Sequence, residues 1–250
     1  MSNIKIVVLS LTDSPRRNTL SNRLKNLNYE IFNAYSPNGY VDECVFNEEL
    51  AFINYGRKLS LGEIGCSVSH KNIIKSFINE SDSEWLIVLE DDFLPENCFE
   101  GFVVNIAEEK INNSTILLLG HSKTEKKTLF LQRLKQPLLE PYEIGGVKFG
   151  KNNKINLCGT VGYAINKSAA RTIAECNFNF WLADDWSRCL NVGINVLHPF
   201  VPLLYEDLSQ VSSIGNDIVS LHSFRYKPFN QILEVIISRA RLIRRKMIKQ

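Results

Sequence analysis

Three consecutive carboxylates, Glu90, Asp91 and Asp92, are the residues of this chain best suited to chemistry. They follow the apolar run Trp85–Leu89, which is too short and too rich in β-forming residues for a helix and predicts a strand buried on both faces. Open α/β sheets bind their ligands at the carboxyl ends of such strands. Three like charges repel one another there, and a bound Mg²⁺ or Mn²⁺ would relieve the repulsion. A solvated acidic turn before Pro95 would explain the same residues without a metal.

A second acidic pair, Asp184 and Asp185, lies between Trp181 and Trp186. Aromatic rings pack against the apolar face of a sugar, and a carboxylate beside them can accept a proton from a hydroxyl group. The alternative is that the pair caps a helix over residues 186–192 and that the tryptophans belong to the core. The two interpretations are compatible, because a cap position also fixes the direction of a carboxylate.

His70 follows Ser69 on a helix that is predicted to begin after Ser60, where Glu63 completes a capping box. The apolar residues of this helix lie on another side, so Ser69 and His70 are expected on its surface. They would serve there as ligand contacts or as ordinary hydrogen-bonding groups.

His121 comes after a predicted strand over residues 116–119, which would place it at the same sheet edge as the carboxylates. It is either a metal or phosphate contact or a polar strand cap. A later strand over residues 157–165 contains two glycines, which indicates close backbone approach, for instance by a sugar ring.

The first 35 residues predict a strand over 4–11, a helix over 16–27 and a strand over 29–34. This βαβ order indicates an α/β fold with a mostly parallel central sheet flanked by helices. Loop polarity is one explanation of the polar residues at the strand ends, and a nucleotide pocket is the other. The residues that would border this pocket are Ser10, Leu11, Thr12, Arg16 and Ala34.

Residues 122–155, rich in Lys, Gly and Pro, predict a hairpin or mobile excursion of the kind that covers an active site. The six cysteines are scattered without a CxxC pair, so we expect free and mostly buried thiols. The amino terminus predicts a strand rather than a signal peptide, and no apolar run approaches the ~20 residues that span a bilayer. These features favour a cytoplasmic protein.

The net charge of +2 conceals an asymmetry between the body, residues 1–224, and the tail, residues 225–250. The tail contains eight basic residues and one acidic residue, so it carries +7 and the body −5. An acidic body argues against nucleic acid as a partner, and the basic tail favours an anionic surface. Apolar residues recur at helical spacing over residues 229–249, which indicates a basic amphipathic helix on an anionic membrane or, alternatively, a helix packed on the domain.

The order of these motifs resembles glycosyltransferase family 25, the bacterial lipopolysaccharide and lipooligosaccharide transferases. The blocks that carry the resemblance are VVLSLTDSPRR near the start, LSLGEIGCSVSH at 59–70, WLIVLEDD at 85–92, CGTVGYAINKSAA at 158–170, LADDW at 182–186 and VSSI at 211–214. They run in family order over about 210 residues. The resemblance implies a GT-A-like, Rossmann-like fold, an inverting mechanism and UDP-hexose donors.

Carried over position by position, the resemblance implies that Asp92 binds Mn²⁺ or Mg²⁺, with Glu90 or Asp91 assisting through water or the ribose. It implies Asp185 as the catalytic base, with Asp184 second. The other expected contacts with donor or acceptor are Ser10, Leu11, Thr12, Arg16, Ala34, Ser69, His70, Gly159 and Thr160. Ser10 departs from the pattern, because the family often has Asn at this position.

The donor implied by the resemblance is UDP-galactose, since galactose is more frequent than glucose in the family. The acceptor would be a lipid-linked oligosaccharide of lipopolysaccharide or lipooligosaccharide. The basic tail would keep the enzyme peripherally at the cytoplasmic face of the inner membrane. A glucosyltransferase, a non-transferring nucleotide-sugar binder and a metal-dependent hydrolase are the alternatives.

Overall fold

The computed structural model describes residues 3–37, 41–42, 44–121, 126, 129–135, 137–152, 161–176, 178–208, 235–237 and 239–240. The strands are β1 (Ile4–Ser10), β2 (Glu30–Asn33), β3 (Trp85–Glu90), β4 (Phe93–Pro95), β5 (Thr115–Leu118), β6 (Leu138–Ile144), β7 (Val147–Asn152), β8 (Gly162–Asn166), β9 (Asn195–Pro199) and β10 (Leu204–Glu206). The helices are α1 (Arg17–Arg23), α2 (Glu48–Tyr55), α3 (Leu61–Glu80), α4 (Phe99–Ile106), α5 (Leu129–Lys135), α6 (Lys167–Glu175) and α7 (Ser187–Asn191).

Eight of these strands form one sheet in the order β2-β1-β3-β8-β5-β9-β7-β6, and β4 pairs with β10 in a small second sheet. The pairing directions make β1, β2, β3, β5, β6 and β9 point the same way, while β7 and β8 run opposite to them. This confirms the predicted α/β fold with a mixed, mostly parallel central sheet.

The central sheet is covered on both faces, because its inner strands carry apolar residues on both sides. In β3, Trp85, Ile87 and Leu89 belong to one core cluster, and Leu86 and Val88 belong to the cluster on the opposite face. Residues of α1 and α4 complete the first cluster, and residues of α3 and α6 complete the second. Burying each large side chain contributes about 1.5–3 kcal/mol. The acidic end of β3 is therefore held by a strand that cannot shift its register without exposing core residues.

Helix α3 begins as predicted, with a complete capping box between Ser60 and Glu63. Its Gly65 packs against the chain that follows β2, where an added Cβ would lie only 2.4 Å from the carbonyl oxygen of Tyr35. The glycine of β8 has a similar role, since a Cβ on Gly162 would lie 2.8 Å from Leu89 Cδ2. The close approach expected from this glycine is thus made by core side chains rather than by a sugar.

The segment predicted as a hairpin over residues 122–155 contains the antiparallel pair β6 and β7, which extends the central sheet next to β9. None of the five described cysteines is in a disulfide. Among them only Cys189 is buried, while Cys66 and Cys176 are half-buried and Cys44 and Cys98 are exposed, so the expectation of mostly buried thiols is wrong. Cys158 lies outside the described residues.

The described part of the basic tail, residues 235–237 and 239–240, is helical. Ile236 and Ala240, two members of the predicted apolar stripe, are both exposed. The remainder of the prediction for this tail lies outside the described residues. Within the described residues, none of the helices combines the length and the apolar character that a bilayer crossing requires.

Candidate active site

The acidic segment Glu90–Asp92 lies at one edge of the central sheet, at the carboxyl end of β3. Strands β1, β5 and β9 point the same way and end at the same edge. Glu206 and Asp207 form a further acidic segment at this edge. Strand β10 brings it there, because Glu206 is paired with Phe93 of β4. The backbone N–H of Asp207 donates to the carbonyl oxygen of Asp92 at 2.8 Å. Carboxylates from two distant parts of the chain thus share one site.

Asp91 is the structural member of the acidic segment. Its Oδ2 accepts hydrogen bonds from the hydroxyls of Ser10 and Ser14, both at 2.7 Å, and its Oδ1 accepts one from Arg16 Nη1 at 3.0 Å. Asp91, Ser10 and Arg16 are all buried. This carboxylate therefore fixes the loop after β1, where the sequence predicted contacts with a nucleotide.

The surroundings of Glu90 and Asp92 disfavour the charged forms of both carboxylates. Burial, together with the charges of Asp92, Asp184 and Glu206, raises the pKa of Glu90 well above its usual range. Burial and the charge of Glu206 also raise the pKa of Asp92 to about 6, while Arg16 acts in the opposite direction. Arg16 Nη1 lies 3.5 Å from Asp92 Oδ2. One arginine therefore does not balance the negative charge at this edge.

A divalent cation fits this place chemically. Asp92 Oδ1 is buried and has no hydrogen-bond partner among the described residues. An unsatisfied carboxylate oxygen among further carboxylates is a suitable ligand for Mg²⁺ or Mn²⁺. In the described part of the chain, no three His, Cys, Asp or Glu side chains already converge as a complete metal cage. Mg²⁺ commonly takes only one or two carboxylates and completes its shell with water and substrate phosphates.

Three residues of this site were missed by the sequence reasoning: Arg23, Glu206 and Asp207. Arg23 Nη1 donates to the carbonyl oxygens of Asp91 and Phe93, at 3.1 and 2.9 Å, and its Nη2 donates to Asp207 Oδ2 at 2.9 Å. The signal that could have found the two acids is their position at the end of the short strand β10, of which Glu206 is the last residue, just as Glu90 is the last residue of β3.

Asp185 lies in a ring of hydrogen bonds within the protein. Its Oδ2 accepts the hydroxyl of Tyr55 at 3.1 Å, its Oδ1 accepts the hydroxyl of Ser187, and Arg188 Nε lies 3.5 Å away. The carboxylate is buried, with a residue exposure of 7%. These contacts join α2 to α7, so the side chain has a structural role in this conformation.

Asp184, in contrast, is half-buried, and its charge acts on the acidic site. It raises the pKa of Glu90 and also that of the Cys66 thiol, in both cases after the larger effect of burial. The N-cap position of α7 is Trp186, so neither Asp184 nor Asp185 occupies the predicted cap position.

The two tryptophans beside this pair belong to the core. Trp181 and Trp186 are both 0% exposed, and their rings pack edge to face at 6.0 Å. The indole N–H of Trp181 donates to the carbonyl oxygen of Asp185 at 3.0 Å. Stacking of either ring on a sugar is thereby excluded in this conformation, and the core interpretation is correct.

The expectation that Ser69 and His70 lie on the surface of α3 is wrong. Ser69 is 0% exposed, and its hydroxyl accepts the N–H of Tyr35 at 2.8 Å and donates to the carbonyl oxygen of Gly65 at 2.7 Å. His70 is 1% exposed and its Nδ1 is hydrogen-bonded to the Tyr163 hydroxyl at 3.0 Å. Burial lowers the pKa of His70 to about 4. The helix turns this side inwards because β8 and the chain after β2 pack on it.

The remaining predicted contacts surround the end of β1. The N–H of Ala34 donates to the carbonyl oxygen of Ser10 at 2.8 Å, which keeps the ends of β1 and β2 together. Leu11 and Ala34 are half-buried and Thr12 is exposed. Gly159 and Thr160 lie outside the described residues.

The fold can be compared with solved structures. The protein A197 from STIV has 14% identity, with 80% of this chain and 82% of that chain covered and a TM-score of 0.39. The galactosyltransferase LgtC in complex with donor and acceptor sugar analogues has 11% identity, with 77% and 72% covered and a TM-score of 0.34. Likenesses this distant carry no argument about function. A comparison with curated protein sequences finds no match. The family described as Glycosyltransferase family 25 (LPS biosynthesis protein) matches residues 3–187, well over half of the sequence, and the chain therefore belongs to glycosyltransferase family 25.

Proposed function

We propose that this glycosyltransferase of lipopolysaccharide biosynthesis moves a hexose, galactose in the first place, from a UDP-sugar to a saccharide acceptor with inversion at the anomeric carbon. The observation that carries the proposal is the buried, unpartnered Asp92 Oδ1 at the sheet edge, among carboxylates with raised pKa values. Such an arrangement is costly for the protein alone and favourable once a cation and a diphosphate are bound.

Asp92 would hold Mn²⁺ or Mg²⁺, with Glu90 as the second protein ligand. A cation held by these two carboxylates would neutralise the charge of the departing diphosphate. Arg16 remains at 3.5 Å from Asp92 and keeps this carboxylate directed towards the loop after β1. Asp91 fixes that loop through Ser10 and Arg16, which supports the predicted nucleotide contacts there.

The acceptor hydroxyl needs a base on the face of the sugar opposite the leaving group. A positioned carboxylate contributes about 10²–10⁴-fold. We infer that Asp184 is this base and not Asp185, which the sequence favoured. Asp185 is buried between α2 and α7. Asp184 is more exposed, and its charge raises the pKa of Glu90 at the acidic site, which supports Asp184 as the base.

The test is UDP release from UDP-galactose, measured with and without a saccharide acceptor. Release that needs both Mn²⁺ and acceptor supports the transferase. Release without acceptor identifies a hydrolase, and no release identifies a nucleotide-sugar binder. A screen of UDP-glucose against UDP-galactose decides between the two donor sugars.

The basic tail is proposed as a peripheral membrane anchor. The exposure of Ile236 and Ala240 supports this, because the apolar stripe of an interfacial helix must be available to the bilayer. Removal of residues 230–250 should release the protein from anionic vesicles while transfer to a soluble, uncharged acceptor continues. Unchanged vesicle binding would refute the anchor.

A further inference from the structure

A pocket of about 250 Å³ lies at the carboxyl ends of β5 and β9, at the same sheet edge as the acidic segment. His121, which follows β5, and Phe200, which follows β9, form part of its wall. Arg133 from α5 and Arg239 from the tail complete its polar lining. The pocket is thus built from four separate parts of the chain.

The charge of this pocket is opposite to that of the acidic segment. Arg133 and Arg239 both line it, and no carboxylate does so among the described residues. Arg133 is held in place, because its Nε and Nη2 both donate to the carbonyl oxygen of Phe200, at 3.1 and 2.6 Å. Two guanidinium groups in one cavity are suited to a phosphate or carboxylate.

The rest of the lining is apolar. Leu138, Pro199 and Phe200 contribute rigid, nonpolar surface. A free inorganic anion would gain nothing from such a surface, whereas the C–H face of a sugar ring or a hydrocarbon chain would be buried favourably against it. The lining therefore fits an anion attached to a carbon framework.

One wall of the pocket is formed by His121, which belongs to a pair of stacked histidines. His121 stacks on His198 with ring centroids 5.0 Å apart and an angle of 15° between the planes. His198 is 2% exposed, and both of its ring nitrogens are buried without a hydrogen-bond partner among the described residues. A buried polar group left unsatisfied costs about 1–3 kcal/mol and calls for an explanation. His121 lines the pocket, and because burial lowers its pKa to about 4, the neutral ring can take part in binding as a hydrogen-bonding group rather than as a cation.

We propose that the pocket binds a phosphate group carried by the acceptor saccharide, so that the enzyme selects a phosphorylated acceptor. This inference rests on the proposed transferase function. The diphosphate of the donor is assigned to the acidic segment, where the cation would bind, so the arginines are available for a second anion. Because the pocket and the acidic segment share one sheet edge, the phosphate would orient the acceptor towards the donor.

The experiment compares binding of a singly phosphorylated disaccharide with that of its dephosphorylated form, by calorimetry on the full-length chain. We expect the phosphorylated form to bind at least about tenfold more tightly, as charge-assisted bidentate contacts predict. Arg239→Gln should remove this difference, and Arg171→Gln, which changes an exposed arginine on α6, should leave it unchanged. Equal binding of the two disaccharides, or an equal effect of the two variants, overturns the proposal.

Two further measurements are needed. The first distinguishes a saccharide phosphate from free phosphate and from a lipid headgroup, and the second distinguishes failure of the anion site from failure of the proposed transferase function. Inorganic phosphate should compete only weakly with the phosphorylated disaccharide. Vesicles of phosphatidylglycerol are expected to bind the basic tail in any case. If their binding depends on Arg239 and the two disaccharides bind equally, the pocket is a site for a lipid headgroup and the acceptor proposal is overturned. Donor cleavage without acceptor should be the same in wild type and Arg239→Gln. If no sugar is transferred but the preference for the phosphorylated saccharide persists, the proposed function fails and the anion site stands.

Discussion

Arg23 Nη2 donates to Asp207 Oδ2 at 2.9 Å, and this contact joins α1 to the chain that follows β10. Only 11% of the Arg23 side chain and 14% of the Asp207 side chain are exposed. Since Arg23 also donates to the backbone of Asp91 and Phe93, one guanidinium holds the two acidic segments side by side. The site depends on a residue that does not itself need to touch a substrate.

Arg23→Gln should lower the free energy of unfolding by about 2–4 kcal/mol, because it leaves the Asp207 carboxylate buried without its cation. Mn²⁺ affinity should fall as well, since the acidic segments are no longer held together. Urea unfolding and calorimetric titration with Mn²⁺ measure the two effects. Arg171→Gln is the control and should change stability by less than about 0.5 kcal/mol. Full Mn²⁺ affinity in Arg23→Gln would show that Arg23 does not position the two acidic segments.

Asp92→Asn should stabilise the metal-free protein at pH 7.5 while abolishing metal-dependent transfer. The pKa of Asp92 is raised from 3.8 to about 6 by burial and Glu206, so the folded chain retains a proton that the unfolded chain has released between these values. Stability is therefore lost as the pH rises from about 4 to about 6, and the full penalty applies above that range. Asp92→Asn removes this penalty, so it should raise the free energy of unfolding by about 1–3 kcal/mol at pH 7.5 and leave it unchanged near pH 4.

The same titration predicts how metal binding depends on pH. A cation held by Asp92 would require the ionised carboxylate, so the apparent affinity for Mn²⁺ should decrease as the pH falls through about 6. The charges that face Asp92 are those of Glu206, Arg16 and Asp91, and the first of them opposes ionisation most strongly. Calorimetry in buffers of different ionisation enthalpy should detect proton release on binding at pH 6. Binding that is independent of pH between 5 and 8 would contradict this account.

Asp184→Asn should mainly lower the reaction rate, whereas Asp185→Asn should mainly lower the stability of the fold. If Asp184 is the base, its substitution lowers kcat by about 10²–10⁴-fold at a temperature where the variant is folded. Asp185→Asn removes an acceptor from the Tyr55 and Ser187 hydroxyls and should cost about 1–3 kcal/mol of stability. Rate measurements under saturating substrate, paired with thermal unfolding of each variant, separate the roles. The reverse outcome would restore the assignment that the sequence favoured.

The elements of the fold could be predicted because their signals are local. The apolar run of β3 and the capping box of Ser60 and Glu63 depend on residues within one strand or one helical turn. The hydrogen bonds that hold Asp91 could not be predicted, since its partners Ser10 and Arg16 are more than 70 positions away in the sequence.

The side of α3 that faces the core was also beyond local reasoning. Ser69 and His70 are polar, and their helix carries polar residues on more than one side, so periodicity alone favoured exposure. Their burial depends on Tyr35 and Tyr163, which arrive from β2 and β8 and satisfy them with hydrogen bonds. Glu206 was missed for a related reason, because the pairing of β10 with β4 brings it to the site from a distant part of the sequence.

Ser69→Ala distinguishes a structural serine from the donor contact that the sequence predicted. The buried hydroxyl joins the N–H of Tyr35 to the carbonyl oxygen of Gly65, so its removal leaves the Tyr35 donor unsatisfied and should cost about 1–3 kcal/mol. Ser76→Ala, on the same helix, removes only an exposed hydrogen bond to Glu80 and should change stability by less than about 0.5 kcal/mol.

If Ser69 acts through the fold alone, KM for the UDP-sugar stays the same in both variants at a temperature where both are folded. A rise in KM of Ser69→Ala with unchanged stability would mean instead that the hydroxyl touches the donor, and that α3 exposes this side when the nucleotide binds.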